Sequence, residues 1–251
     1  MRAVIAVVLL GWWAFAGATD VAAFELLRSN GDPCSAAPNL RWSPAEVVVD
    51  TGNLGMVERG LAQEAIDEWR SVLGSRLRFQ SGTGRVCNAD DGVTTLAFTN
   101  VDCQGRSFGG EVLAITVSTW QGNRLIDADV SFNPNTRFSP AGFRQVAMHE
   151  LGHVIGLDHS DACGADGIGT LMNSRLVESF SSPQADDIAG ASFIYAGGDI
   201  GVPEGANGCA ISAGPDAVAM PVGLGWAVLA LLAWSVGRPP RSRWRGRSLL
   251  H

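Results

Sequence analysis

Residues 149–159 read His149-Glu150-Leu151-Gly152-His153-Val154-Ile155-Gly156-Leu157-Asp158-His159. His149 and His153 are four residues apart, so on a helix both imidazoles project from one face, about one turn from each other. Gly156 lacks a Cβ, which allows the backbone to turn sharply, end the helix and bring His159 back as a third ligand. Glu150 can reach a metal-bound water without being a ligand. Three histidine nitrogens and one open position are typical of a catalytic zinc, whereas structural zinc sites have four protein ligands.

The specificity of this motif comes from its extended form. A bare HExxH occurs by chance in many helices, whereas here the glycine and the third histidine are fixed as well. The chain has four histidines, and the one outside the motif is His251, the last residue. We therefore predict one catalytic Zn²⁺ bound by His149, His153 and His159.

The amino terminus predicts a secretory signal peptide, residues 1–18. Arg2 is the single charge before an apolar run over residues 4–16, and Ala16-Gly17-Ala18 is a small-x-small cleavage site. A membrane anchor is the alternative, but 13 apolar residues are too few for a span of about 20. Cleavage is expected after Ala18, with Ala23 as a second possible site.

The charge and the length of the chain limit its possible partners and its number of domains. All 18 basic residues are arginine, and residues 19–209 hold 12 arginines against 24 acidic residues, a net charge of −12. An acidic body disfavours nucleic acid as a partner. Residues 24–196 are long enough to bury one core as a single domain.

The five cysteines indicate an oxidising compartment. Cys209 lies in a Gly- and Pro-rich tail, and the other four form an even set, which favours two disulfides in an exported domain. Four cysteines allow three pairings. A local Cys87–Cys103 bridge, which would leave Cys34 with Cys163, is one of them.

The hydrophobic pattern predicts strands and helices in an α+β order. Apolar residues recur at helical spacing over residues 57–73 and again over about 141–155, the motif helix. Strand-like segments cover residues 40–50, 77–79, 94–99, 111–119 and 126–132. We expect a mixed sheet with the metal beneath its edge.

Met172, in Thr170-Leu171-Met172-Asn173-Ser174, stands 13 residues past the third histidine. A methionine in a loop is usually only core packing. Coupled to the zinc motif, however, it resembles the methionine turn of the metzincin metalloproteases. Ser160 after the third histidine is similar to the matrixin branch. Further matrixin-like segments are Leu40-Arg41-Trp42, residues 127–133, and residues 183–190 running to Tyr195.

This resemblance implies the fold, the activity and several roles. It implies a metzincin-like domain with a twisted mixed sheet, an antiparallel edge strand and three main helices. It implies a zinc endopeptidase acting on proteins or peptides, with Glu150 as general base and Met172 supporting the zinc. Substrate would pair with the edge strand at Leu113, Ala114 and Ile115. We expect a monomer.

The departures from the family are also informative. Ser174 stands where astacins and serralysins place a tyrosine ligand, so no tyrosine ligand is expected. No histidine is left for the second, structural zinc of vertebrate matrixins, while Asp127 and Asp129 leave Ca²⁺ possible. Cys34 superficially resembles the family's zinc-capping cysteine, but only 15 residues lie between the predicted cleavage site after Ala18 and Cys34, too few for a folded prodomain, and a disulfide is favoured.

The composition changes from residue 197 onward. Residues 197–216 predict a Gly/Pro-rich linker that carries Cys209, residues 217–237 form a chargeless apolar run, and residues 238–251 hold five arginines. The run is long enough to cross a membrane, with the arginine-rich tail on the cytoplasmic side. The order of cysteine, span and arginines also resembles the MYXO-CTERM sorting tails, in which the tail is removed and Cys209 would be the anchoring residue.

Together these features predict an exported, cell-surface-tethered zinc endopeptidase with its catalytic domain outside the cytoplasm. A non-catalytic surface-binding protein on the same scaffold is one alternative, and the intact Glu150 argues against it. A gluzincin-like site that uses Glu178 as third ligand is another, and His159 makes it unnecessary.

Overall fold

A computed structural model describes residues 24–89, 91–176 and 179–196 of the chain, and the backbone of residues 244–250. The predicted signal peptide (1–18), the linker with Cys209 (197–216) and the predicted span (217–237) lie outside these residues. Within the described ranges, no helix combines the length and the apolar character needed to cross a membrane.

The described residues form a domain of helices packed on a mixed sheet, as predicted. Its strands are β1 (Glu25–Leu26), β2 (Arg41–Trp42), β3 (Glu46–Asp50), β4 (Arg78–Ser81), β5 (Val93–Phe98), β6 (Ala114–Gln121), β7 (Arg124–Phe132), β8 (Leu157–Asp158) and β9 (Trp244–Leu250). Its helices are α1 (Met56–Leu73), α2 (Pro140–Val154) and α3 (Ala185–Tyr195), with a 3₁₀ turn at Gly74–Arg76. The predicted α+β class and the three main helices are confirmed.

The main sheet is mixed, with the order β4-β3-β5-β7-β6-β9. The pairs β3–β4, β3–β5 and β5–β7 are parallel, whereas β6 runs antiparallel to β7. The alternation along β7 divides the two faces of the sheet. Ala128, Val130 and Phe132 join the core, while the intervening Asp127 and Asp129 point to the opposite face.

Helix α2 is buried in the core and packs against both α1 and β6. Ser139 caps its start by accepting the Gly142 N–H, and Pro140 occupies its first turn. The Trp69 indole N–H of α1 donates to the Met148 carbonyl at 2.8 Å. Every residue of α2 from 145 to 154 is buried, so this helix is fixed from all sides.

The edge of the sheet differs from the sequence prediction in two ways. First, β6 begins at Ala114 rather than Glu111, because a turn in which the Val112 N–H donates to the Gly109 carbonyl precedes it. Second, β9 pairs antiparallel with the outer side of β6. The sequence prediction put residues 238–251 on the cytoplasmic side of a membrane, and one molecule cannot satisfy both placements.

The amino-terminal segment is attached to the end of the zinc-motif region. β1 pairs antiparallel with β8, the strand directly before His159. Cys34 forms a disulfide with Cys163, and Cys87 forms one with Cys103. The pairing proposed from the sequence is confirmed, and Cys34 is not a free thiol that could cap a metal.

The two disulfides should contribute unequally to stability. According to the chain-entropy model, the free energy of unfolding should fall by about 5 kcal/mol in Cys34→Ala/Cys163→Ala and by about 3 kcal/mol in Cys87→Ala/Cys103→Ala. The difference arises because the disulfides close loops of 129 and 16 residues. Guanidinium unfolding of the two double variants beside the parent measures this difference. An equal loss, or a larger loss for the shorter loop, would contradict the expectation.

Candidate metal centre

The three motif histidines converge on one point. His149 and His153 project from α2, and His159 follows β8 directly. The Nε2 atom of His153 lies 3.0 Å from that of His149 and 3.2 Å from that of His159. Their ligand nitrogens all lie within 4.8 Å of one another, and the described residues contain no second group of this kind.

Backbone carbonyls fix the orientation of two of these imidazoles. Nδ1 of His149 lies 2.8 Å from the Leu171 carbonyl, and Nδ1 of His153 lies 2.9 Å from the Leu157 carbonyl. Because a carbonyl oxygen only accepts, each Nδ1 carries the proton and each Nε2 presents a lone pair. These two lone pairs and the Nε2 atom of His159 therefore face a common centre.

A metal cation fits this centre better than protons do. Burial lowers the pKa of His149 to about 3 and holds the pKa of His153 well below its usual value, so both rings are neutral at pH 7. Neutral lone pairs about 3 Å apart repel one another unless a cation lies between them. A set of three imidazole nitrogens with no carboxylate suits Zn²⁺.

Glu150 lies beside the histidines and is fully buried. Its Oε2 accepts the hydroxyl of Thr116 on β6, while its Oε1 has no hydrogen-bond partner among the described residues. Burial raises the pKa of Glu150 to about 8. A divalent cation nearby would lower that pKa again, because an opposite charge favours the carboxylate. One oxygen is thus held, and the other is available to a water or a substrate.

Met172 lies directly against the zinc-motif helix. A Cβ built on Gly152 would stand 2.3 Å from the Met172 sulfur and 3.4 Å from the Trp69 ring. A contact of 2.3 Å is too short, so only glycine at position 152 allows the methionine sulfur to approach this closely. The two residues form a sterically matched pair beneath the histidines.

Asp187, in the first turn of α3, holds the backbone of the methionine turn. Its carboxylate accepts the N–H groups of Leu171 at 2.9 Å and Met172 at 3.1 Å. The carbonyl of the same Leu171 fixes His149. Asp187 is therefore a positioning residue that acts on His149 through one peptide unit.

The loop after His159 is hydrogen-bonded to the same turn. The Ser160 N–H donates to the Met172 carbonyl at 3.0 Å, and Asp161 accepts the backbone N–H and the hydroxyl of Ser174 at 3.0 and 2.6 Å. Ser174 thus braces the loop at the position where some metzincins carry a tyrosine ligand. Tyr195 instead donates its hydroxyl to the Ile155 carbonyl at 2.9 Å, at the end of the zinc-motif helix.

Sequence reasoning missed the roles of Thr116, Gly152 and Asp187. Asp187 belongs to a segment that carried the matrixin resemblance, but nothing in its spacing indicated a bond to the methionine turn. Of the predicted edge residues, Ala114 and Ile115 open β6, and Leu113 precedes it with its carbonyl accepting the Asn133 N–H at 2.9 Å. Glu178, the alternative third ligand, lies outside the described residues.

Asp127 and Asp129 lie on the opposite face of the sheet from the histidines. Asp129 accepts the Thr95 N–H at 2.9 Å, and Oδ2 of Asp127 accepts the Gly92 N–H at 3.1 Å. Among the described residues, no third histidine, cysteine or acidic side chain joins them as a metal-binding group. The predicted option of calcium at this pair therefore gains no support from the structure.

A comparison with known families gives one match. The matrixin family model, peptidase M10, matches residues 53–196, which is more than half of the 251-residue chain. No curated protein matches the chain. The match includes the three histidines, Glu150 and the methionine turn, and it confirms the matrixin resemblance over this range.

Asp127 should make stability depend on pH. Burial, reinforced by the charge of Asp129, raises the pKa of Asp127 from 3.8 to about 7 in the folded state. Its stabilising contribution is therefore complete below about pH 4 and is lost as the pH rises through about 7. Asp127→Asn should gain stability over the parent between these pH values, measured by urea unfolding in calcium-free buffer.

Asp102→Asn is the control with the opposite sign. Burial raises the pKa of Asp102, but hydrogen bonds from Arg106 and Gln104 and the charge of Arg106 outweigh it, so the pKa is lowered overall. This variant should lose stability at neutral pH and match the parent in acid. A constant difference between Asp127→Asn and the parent at all pH values would contradict the assignment.

Proposed function

The chain belongs to the matrixin family, whose members are zinc metalloendopeptidases, and from this premise we propose that it hydrolyses peptide bonds with Glu150 as general base. The observation that carries the proposal is the convergence of three histidine Nε2 atoms beside a buried carboxylate with one oxygen that has no hydrogen-bond partner among the described residues. A structural zinc site would need a fourth protein ligand, and the group found here has three.

The histidines would hold Zn²⁺, which when bound lowers the pKa of a water and polarises a substrate carbonyl. Oε1 of Glu150, the unpartnered oxygen, accepts the proton of the attacking water. The same carboxyl then gives that proton to the departing amide nitrogen. Thr116 is hydrogen-bonded to Oε2 and keeps Oε1 oriented for both proton transfers. The buried surroundings exclude bulk water from the exchange.

The substrate is proposed to bind as an added strand along the outer side of β6. An extended peptide pairs with an exposed strand through backbone hydrogen bonds and needs no particular sequence for that. Ala114 and Ile115, at the start of β6, lie two residues or fewer from Thr116, the residue that contacts Glu150. A peptide paired there would pass the general base.

Export and surface tethering are part of the proposal. The support is the signal-like segment 1–18, the two disulfides of the folded domain and the order of Cys209, apolar run and arginines. After processing of the tail, an acidic soluble domain would have no other means of staying at a bilayer. One acyl chain gives only marginal binding, so two or more chains are expected on Cys209.

Mass spectrometry of the protein from its host tests this localisation. The mature form should begin at Thr19, end near Cys209 and carry a lipid modification on that cysteine, and Cys209→Ala should leave the precursor unprocessed. Detection of peptides from residues 241–251 in the mature surface form would overturn the processing of the tail.

Glu150→Gln tests the chemistry. The variant should keep one zinc per chain, because the three histidine ligands are unchanged. Its peptidase activity should fall by roughly 10²- to 10⁴-fold, because the general base is lost. Glu111→Gln, the same change at an exposed carboxyl group, should leave both quantities unchanged. His159→Ala should lose the zinc as well.

Zinc analysis after dialysis and a fluorogenic peptide assay measure these outcomes. Activity of Glu150→Gln within a few-fold of the parent would remove Glu150 from the mechanism. A parent protein that binds one zinc but cleaves nothing in a proteome-derived peptide library would favour the non-catalytic binding protein. Two tightly held zincs per chain would contradict the single site.

A further inference from the structure

We propose that the chain's own carboxyl-terminal segment, Trp244–Leu250, occupies the substrate-binding edge of β6 and holds the peptidase in a self-inhibited state. The inference rests on the proposed function, because it takes the outer side of β6 as the place where substrate binds. It adds a regulator of that site, supplied by the same chain.

The pairing covers nearly the whole strand. β9 runs antiparallel to β6, with partner pairs from Ala114–Leu250 at one end to Trp120–Trp244 at the other. Only Gln121, the last residue of β6, has no partner in β9. The register is continuous, although the β6–β7 pairing on the other side has an irregularity between Thr119 and Trp120.

This register brings the tail past the catalytic glutamate. Ser248 stands opposite Thr116, and the Thr116 hydroxyl is bonded to the Glu150 carboxylate. β9 also approaches α2, the helix that carries His149 and His153. The backbone of residues 248–250 therefore lies where a substrate backbone must lie to reach the general base.

Tail and substrate must exclude each other at this edge. In the sheet, one side of β6 is paired with β7, so only the other side can accept a further strand. The N–H and C=O groups on that side are the ones that an added peptide would use, and β9 already uses them. Inhibition by the tail should accordingly be competitive with peptide substrates.

The opposite charges of the tail and the rest of the chain also favour docking of the tail at the edge of β6. Residues 19–209 carry 12 arginines and 24 acidic residues, whereas residues 238–251 carry five arginines and no acidic residue. A basic tail is attracted to an acidic body, an effect that salt weakens. The segment is also tethered, which raises its effective concentration at the edge above that of a free peptide.

The docked tail and a membrane-inserted span are mutually exclusive states. Residues 197–243 connect the domain to β9, and 47 residues can reach about 150 Å when extended, at about 3.3 Å per residue. The tail can dock only while residues 217–237 do not cross a membrane. Insertion of the span, or removal of the tail, would therefore free the edge.

Proline substitutions in the tail test the contact without touching the site. Alternate N–H groups of a strand face the same neighbour, so one of the two prolines in Ser248→Pro/Leu249→Pro must remove a donor towards β6. Arg241→Pro/Ser242→Pro, upstream of β9, is the matched control. Both are made in the full chain carrying Glu150→Gln, so that no cleavage occurs, and amide hydrogen exchange is measured at residues 114–120.

In the Ser248→Pro/Leu249→Pro variant, every second amide of β6 should exchange at least about tenfold faster, because these amides face β9. The amides that face β7 should be unchanged, which provides a control within the same strand. The upstream control should match the parent, and the free peptide of residues 244–250 should restore protection. Equal protection of β6 in both proline variants would overturn the proposal, and so would protection that falls on dilution, since a second copy would then supply the strand.

Activity provides the second measurement. With Glu150 intact, Ser248→Pro/Leu249→Pro should lower the apparent KM for a short peptide at least about threefold with kcat nearly unchanged. An unchanged KM in an active enzyme would overturn the inhibitory role. If the exchange result is obtained but no variant cleaves any peptide, the docking stands and the proposed peptidase function fails.

Discussion

The meeting of three imidazole Nε2 atoms at one point is the constraint on which the rest of the structure depends. Left alone, nitrogens about 3 Å apart would repel, so the surrounding fold must hold them against that repulsion until a cation enters. It does so with the carbonyls of Leu171 and Leu157. Leu171 is in turn held by Asp187 on α3, which lies 38 residues after His149 in the sequence, so this helix helps to determine the orientation of His149. The third helix is therefore part of the metal centre, although it supplies no ligand.

Residues near both ends of the described domain contact the end of the zinc-motif helix and the loop after His159. The Trp42 indole donates to the Val154 carbonyl and the Tyr195 hydroxyl to the Ile155 carbonyl, so both cap the last turn of the zinc-motif helix. The Cys34–Cys163 disulfide ties the amino-terminal segment to the loop after His159. With no second histidine cluster to stabilise the domain in the described ranges, these attachments fix the turn that returns His159 to the site.

Much of the fold and of the metal centre could be predicted from the spacing of residues that are close together in the sequence. The spacing of His149 and His153 indicated a helix, and Gly156, with its φ of +108°, allows the chain to turn just after the helix ends so that His159 returns to the site. Alternation identified β7, and helical spacing identified α1. The contacts that were missed join residues far apart in the sequence, such as Thr116 with Glu150 and Asp187 with Leu171, and no local period encodes them. β1 and β8 have two residues each, too few for any period, and β9 was missed because its arginines, after an apolar run, indicated a cytoplasmic tail.

The strand that completes the sheet has a consequence for solubility. A long, flat β-strand with one unpaired side is a template for pairing between molecules and hence for aggregation. In this chain that side of β6 is paired with β9, which lies outside residues 24–196, the predicted domain. Removal of this segment would leave the N–H and C=O groups on that side of β6 without a strand partner, and other copies of the protein could then pair with them.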